Sequence, residues 1–189
     1  MKRAVLIISI LLSINVLTAQ SLNYYNLEPF TIVDINFVGD VVIKQCATSN
    51  EVNIKANDYK FIEKTHVVVS DGKLSIYMDN NTSREKKDNI QMEIRLPRLE
   101  KLTLLGAGDV MVEKRNEPNL TVINAGVGEC NLQCLKIEGS LELHNKSAGD
   151  IKVSSPDPIR QQTLLINNSG VGDVSILGSH VSNSLIINN

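Results

Sequence analysis

Hydrophobic and polar residues alternate along most of the chain, and an apolar residue at every second position is typical of a half-buried β-strand. The alternation is clear at residues 30–35, 52–56 and 90–96. Residues 66–78 contain two such runs on either side of a Ser-Asp-Gly-Lys sequence, which predicts a hairpin turn. Because helical periodicity is almost absent, we predict an all-β chain, with an exposed polar loop at residues 79–89.

A Gly-Asp corner returns at a nearly fixed interval in the second half of the chain. Aligned on the second glycine, the corners fall at Gly108, Gly128, Gly149 and Gly172, in steps of 20, 21 and 23 residues. Short strands without helices at this period predict a single-stranded right-handed parallel β-helix-like solenoid with 20–23-residue rungs. An antiparallel β-sandwich is the alternative; it explains the alternation but not the return of one corner at one phase.

The alternating runs on either side of each corner supply the inward positions of the predicted rungs. Stacked rungs lie about 4.8 Å apart, so equivalent apolar residues form continuous ladders. The predicted inward residues are Leu102, Leu104, Val110, Val112, Leu120, Val122, Cys130, Leu132, Leu141, Leu143, Ile151, Val153, Leu164, Ile166, Val174, Ile176, Leu185 and Ile187. The same template fits a Gly39-Asp40 corner near the N-terminus.

Glycine and asparagine recur at fixed phases of the corner. The glycines are predicted to form structural turns by supplying positive φ angles, at Gly106, Gly108, Gly126, Gly128, Gly149, Gly170 and Gly172. Asparagines at one phase of stacked rungs can pass amide hydrogen bonds from rung to rung, which predicts a ladder of Asn124, Asn145, Asn168 and Asn189. Alternatively, asparagine is there because it favours strand ends and turns.

The acidic residues of the corners are weak candidates for a metal site. Asp109, Glu129, Asp150 and Asp173 would stack, and a row of carboxylates either points into solvent or shares a hard cation such as Ca²⁺. A phosphate cradle requires a helix after the glycine-rich loop, whereas a strand follows each corner here. We therefore expect solvated corner carboxylates, and neither a bound metal nor a cofactor.

The first residues predict export. A basic start is followed by an uncharged, mostly apolar run at residues 4–17 and by Ala19, which is typical of a cleaved secretory signal peptide. A retained anchor is the alternative, although the run is shorter than the roughly 18–20 residues that span a bilayer. The predicted divisions are a signal peptide at 1–19, a short N-terminal segment at 20–27 and a β-solenoid domain at 28–189. We expect the protein in the periplasm, at the cell surface or secreted.

Charge and composition exclude some partners. Lys2 and Arg3 leave with the signal peptide, so the formal charge changes from −2 to −4. Such a surface has no electrostatic attraction for nucleic acid or anionic lipid. Beyond the signal peptide, no segment is long and apolar enough to span a membrane.

The cysteines and histidines give no catalytic or metal-binding pattern. Cys46, Cys130 and Cys134 are predicted to be small buried hydrophobes, the alternatives being a Cys130–Cys134 disulfide or a bridge to Cys46 or to another chain. The three histidines occur at unrelated phases and are expected at the surface; they are His66, His144 and His180. We predict no catalytic residues; the alternative is a pair of carboxylates in an acidic groove, which glycoside chemistry uses.

Several segments resemble the DUF2807 family, whose members are described as putative autotransporter adhesins with a head GIN domain, exported proteins common in Bacteroidetes. These segments are FTIVDINFVGDVVIKQ, DGKLSIYM, IQMEIRLPRLEKLTLLGAGDV and the GVGDV-type corners, within residues 28–189. The resemblance implies a β-helix-like fold without an established enzymatic activity. Two departures are Glu129-Cys130 in the second corner and the end of the chain at Asn189, which leaves an open edge that invites capping or self-association.

Together these patterns predict a non-catalytic exported β-solenoid of the surface or envelope that binds a protein or glycan ligand as an adhesin-like module. The competing predictions are a glycan-active β-helix enzyme and a purely structural oligomerising module. A homo-oligomer is compatible with each of them.

Overall fold

The structure, a computed structural model, describes residues 20–79, 90–133 and 135–189, and for 156–159 it describes the main chain alone. The predicted signal peptide, nearly all of the predicted polar loop and Cys134 lie outside the described residues. Within them, the chain forms sixteen β-strands and one short α-helix, so the all-β prediction is confirmed.

The first half of the chain contains the helix and seven strands. They are β1 (Gln20–Tyr24), β2 (Ile32–Asn36), β3 (Asp40–Gln45), β4 (Glu51–Ala56), α1 (Tyr59–Glu63), β5 (Thr65–Ser70), β6 (Lys73–Met78) and β7 (Ile90–Leu96). The second half contains β8 (Lys101–Leu104), β9 (Val110–Val112), β10 (Arg115–Glu117), β11 (Leu120–Asn124), β12 (Cys130–Gln133), β13 (Leu135–Ile137), β14 (Ser140–Asn145), β15 (Ile151–Asn168) and β16 (Val174–Asn188).

Helix α1 is an element that the sequence pattern did not predict. Asp58 caps it by accepting a hydrogen bond from the main-chain N–H of Lys60, and Phe61 and Ile62 are buried in the core. A helix of five residues has too few turns to show a periodic apolar stripe.

Most strands join one large, mainly parallel sheet. Its order is β1-β4-β7-β3-β9-β12-β15-β14-β11-β8-β2-β6-β5, with β16 beside β15, while β10 and β13 form a separate pair. Within the described residues, antiparallel pairing is confined to β1 with β4, β4 with β7 and β5 with β6. An antiparallel sandwich would instead pair neighbouring strands in opposite directions throughout.

Strands of successive repeats pair in parallel and in register. Val122 lies opposite Leu102 on one side and Leu143 on the other, and Leu143 lies opposite Ile166. The repeats form two rows of parallel strands, one of β8, β11 and β14 and the other of β9 and β12. The long strand β15 belongs to both rows, because its beginning pairs with β12 and its end with β14. In both rows, each repeat therefore pairs with the next through residues at equivalent positions.

The predicted inward residues form the core, except at the last repeat. Those of the central repeats are buried. Ile166, Val174 and Ile176 are only partly buried, and Leu185 and Ile187 are exposed. The prediction is wrong for these last two residues because β16 has a neighbour, β15, on one side only within the described chain.

The corner glycines are required for a different reason from the one predicted. Among the described glycines, only Gly72 and Gly178 have positive φ angles, and neither belongs to a Gly-Asp corner. A Cβ atom on Gly128 would instead lie 2.1 Å from the carbonyl oxygen of Gly108, and one on Gly172 would lie 2.3 Å from that of Gly149. Glycine is needed because the main chains of successive bends pass too close for any side chain.

Candidate functional site

The corner carboxylates bind main-chain and lysine groups of neighbouring repeats. Asp109 Oδ1 accepts a hydrogen bond of 2.8 Å from the N–H of Glu129, and Asp150 Oδ1 accepts one of 2.9 Å from the N–H of Asp173. Lys152 pairs with Glu129, and its Nζ lies 3.7 Å from Asp150 Oδ2. In the described part of the chain, no three His, Cys, Asp or Glu side chains are grouped to hold a metal ion.

Three of the four predicted ladder asparagines lie in register, but their side chains donate to main-chain carbonyls of the corners rather than to one another. Asn124 Nδ2 donates to the carbonyl of Gly128 at 3.1 Å, and Asn145 Nδ2 donates to that of Gly172 in the next corner at 2.9 Å. Asn168 also donates to the Gly172 carbonyl, at 3.0 Å. Asn189 follows β16 and is exposed.

The histidines are far apart in the fold, and the described cysteines are free. His66 stacks on Tyr77. His144 forms a hydrogen bond with Asn167, and His180 lies on β16. Neither Cys46 nor Cys130 forms a disulfide among the described residues. Complete burial, together with the nearby charge of Glu129, raises the pKa of the Cys130 thiol to about 12, so it is an unreactive core residue.

A groove of about 740 Å³ crosses the outer face of six consecutive sheet strands, from β1 through β4, β7, β3 and β9 to β12. One row of outward positions runs along its floor, with each residue paired to the next across the strands. The row is Asn53, Glu93, Val42, Met111 and Asn131. These residues lie far apart in sequence, so only the sheet order brings them together.

The centre of the groove floor is apolar and its flanks are polar. Val42 and Met111 lie side by side on β3 and β9, and Met111 is 37% exposed. Asn53 and Asn131 present amides at either end of the row, and Tyr25 stands at the rim with 63% of its surface exposed. The groove therefore offers a ligand both an apolar contact at its centre and hydrogen-bonding groups around it.

The carboxylate of Glu93 in the groove is held by two cations. It lies 2.8 Å from Lys44 Nζ and 2.6 Å from Arg95 Nε. Partial burial alone raises the pKa of Glu93, but the hydrogen bonds and charges of Lys44 and Arg95 outweigh it and hold the pKa below its usual value. An ionised carboxylate of this kind accepts hydrogen bonds; a catalytic general acid needs a raised pKa instead.

Two of the predicted corner carboxylates also line this groove. Asp109 and Glu129 stand along one side, together with Asp40 of the N-terminal corner. Asp150 and Asp173 precede β15 and β16, beyond the strands that carry the groove. The sequence pattern identified these acidic positions. It did not predict the rest of the groove lining, which comes from the N-terminal strands β1, β4 and β7.

Comparison with protein families gives one match over most of the chain. A family model described as "Putative auto-transporter adhesin, head GIN domain" (DUF2807) matches residues 29–186. No functionally curated protein matches. Among the described residues, no helix is long and apolar enough to cross a membrane.

Solved structures share the fold at low sequence identity. A putative adhesin from Bacteroides fragilis superposes with a TM-score of 0.74 at 19% identity, over 90% of this chain and 94% of that one. A putative lipid binding protein from Parabacteroides distasonis gives a TM-score of 0.57 at 12% identity, over 88% and 76% of the two chains. At these identities the similarity concerns the fold alone.

Proposed function

The chain belongs to the DUF2807 family, described as putative auto-transporter adhesins with a head GIN domain, and on that basis we propose that it is an exported, non-catalytic binding module. Its proposed binding surface is the groove on β1, β4, β7, β3, β9 and β12. The observation that carries this proposal is the composition of the floor, where Val42 and the partly exposed Met111 lie between Glu93 and Asn131 on a rigid sheet. Rigid strands hold such groups in fixed positions, which lowers the entropic cost of binding a ligand.

We also propose that the parallel rows form a right-handed β-helix-like solenoid with one coil per repeat. The register of β8, β11 and β14 supports this, because three successive repeats pair through equivalent residues. The strand β15, which pairs with both rows, supports it further. Right-handed crossover is the general rule for parallel strands connected within one sheet.

Export to the periplasm, the cell surface or the medium is part of the proposal. It is supported by the signal-peptide pattern of residues 1–19 and by the adhesin description of the family. Mass spectrometry of the protein recovered from its host is expected to show a mature N-terminus at or near Gln20. A chain recovered intact from the cytoplasm would contradict export.

A glycan-active enzyme is the second candidate, because several carboxylates line the groove. They are Asp40, Glu51, Glu93, Asp109 and Glu129. The lowered pKa of Glu93 argues against its service as a general acid, and the family description names adhesins. Release of reducing ends from polysaccharides during incubation with the purified protein would favour the enzyme.

A binding screen against immobilised extracellular matrix proteins, glycans and host cells tests the proposed function. The variant Met111→Glu places a charge at the centre of the groove floor. Leu177→Glu is the matched control, because it places the same charge on another exposed apolar residue. Leu177 is 69% exposed and lies on β16, outside the groove. We expect the wild type and Leu177→Glu to bind alike and Met111→Glu to bind at least tenfold more weakly.

Two outcomes would contradict the proposal. One is the absence of binding to any extracellular component. The other is equal binding by the wild type and both variants, which would show that the interaction uses another surface. Melting curves of the three proteins establish that each is folded.

A further inference from the structure

We propose that the groove binds an oligosaccharide without acidic groups, laid across the strands with one sugar ring over Val42 and Met111. This inference rests on the proposed function and names the chemical class of the ligand.

The groove floor has the size and composition that a sugar ring requires. Neighbouring strands are about 4.8 Å apart, so Val42 and Met111 together form an apolar platform about as wide as one ring. A pyranose presents C–H groups on its face and hydroxyls around its edge. The face can rest on the two apolar side chains while the hydroxyls reach the polar groups on either side.

The groups beside the platform match hydroxyl chemistry. A hydroxyl both donates and accepts hydrogen bonds, and an asparagine amide offers both functions. Asn131 lies next to Met111, and Glu93 lies next to Val42 on the other side. Lys44 and Arg95 fix the Glu93 carboxylate, so it is an oriented acceptor for a pair of adjacent hydroxyls.

The length of the row favours an oligomer over a single sugar. From Asn53 to Asn131 the row crosses five strands, or roughly 19 Å. Tyr25 stands at one end with its ring exposed, where its apolar face can cover a second sugar and its hydroxyl can hydrogen-bond. A cavity of about 740 Å³ lies within the range of small-ligand sites, about 300–1,000 Å³, whereas a stable protein interface is a much broader surface.

The charges in and beside the groove disfavour acidic sugars. Five carboxylates and the cations Lys55 and Arg95 line it. Lys44 pairs with Glu93 and Lys152 with Glu129, so four cations stand against five carboxylates. The excess of negative charge repels uronic and sialic acids, and this repulsion separates acidic from non-acidic glycans. Neutral sugars avoid that repulsion, and amino groups would add to the attraction.

Binding of the purified protein to an array of defined neutral, amino-bearing and acidic oligosaccharides tests this inference. We expect signals from non-acidic members only, with affinities then measured by titration calorimetry. Met111→Glu should weaken binding at least tenfold, and Asn131→Ala severalfold. Leu177→Glu, outside the groove, should bind like the wild type.

The outcomes separate this inference from the proposed function. Preferential binding of acidic oligosaccharides would overturn the assignment of the ligand class. So would a protein that binds no oligosaccharide yet still binds a matrix protein in a Met111-dependent way, although the groove would then remain the binding surface. Unchanged glycan affinity in Met111→Glu would overturn the assignment of the site.

Discussion

At the scale of single residues, the corner glycines show how one sequence signal can be recognised and its cause mistaken. Their recurrence predicted a bend, and each of them lies in or beside one. The cause is contact between repeats: the Gly126 Cα faces the Gly106 carbonyl so closely that a Cβ would lie 2.1 Å from its oxygen. A sequence shows that glycine recurs, but only the packing of two bends shows whether φ or proximity requires it.

Replacing one of these glycines tests the contact. Gly128→Ala is expected to destabilise the protein by about 1–3 kcal/mol, because the new methyl group forces two bends apart. Chemical denaturation measures the change. Ala148→Val is the control, since Ala148 lies at an exposed bend position and valine occupies the equivalent position at Val127. An unchanged midpoint for Gly128→Ala would contradict the close contact.

The interior charges on β10 could not be predicted from the pattern. Arg115-Asn116-Glu117 has the composition of an exposed turn, yet Arg115 and Glu117 are both buried. Arg115 Nε donates to Glu117 Oε1 at 2.9 Å, and the same oxygen accepts the N–H of Leu99. Burial lowers the pKa of Arg115, and Glu117 opposes that shift. Binary patterning misassigns such residues because their mutual pairing, rather than their polarity, decides which way they face.

The held carboxylate of Glu93 predicts a pH dependence of stability. A folded-state pKa below the ordinary value of 4.5 contributes stability above the unfolded pKa, which is lost as the pH falls through the folded pKa. Glu93→Gln should therefore melt below the wild type at neutral pH, and the difference should shrink as the pH falls below about 4.5. Melting curves across the acidic range measure this gap.

A control separates this effect from general acid sensitivity. Glu138 pairs with Lys136 at the surface, with 66% of its side chain exposed. Glu138→Gln should show no comparable gap at any pH. A gap for Glu93→Gln that persists at low pH would contradict the proposed role of the ionised carboxylate.

At the scale of elements, the strands of the central repeats were the most predictable part of the fold. Their alternation and their constant spacing gave both the strand type and the parallel register of neighbours. The N-terminal elements were less predictable. Strands β4 and β7 pair antiparallel although 33 residues separate the end of one from the start of the other. A local sequence pattern cannot predict a pairing over that distance.

Equivalent leucines on successive strands should contribute unequally to stability. Leu141, Leu164 and Leu185 are register partners, with 0%, 3% and 57% of their surfaces exposed. Leu141→Ala should cost about 2–5 kcal/mol, because it leaves a cavity between packed strands. Leu185→Ala should cost about 0.5 kcal/mol or less. Equal losses in denaturant titrations would show that β16 is covered in solution.

At the scale of the whole molecule, the groove depends on sheet order rather than on any one segment. Its floor joins residues from Asn53 to Asn131 through four strand pairings, and its rim carries Tyr25 from before the repeats begin. The repeats predicted that Asp109 and Glu129 would lie at equivalent positions of neighbouring corners. Much of the remaining lining comes from β1, β4 and β7, whose places in the sheet follow from long-range packing.

The repeated bend also has an evolutionary consequence. Because the repeats that contain Asn124, Asn145 and Asn168 share this asparagine and the second corner glycine, gain or loss of one of them would join equivalent positions. The groove ends at β12, so such changes in β14 or β16 leave its lining residues in place. Duplication can therefore lengthen the molecule in increments of one strand spacing, about 4.8 Å, while selection keeps the same binding surface.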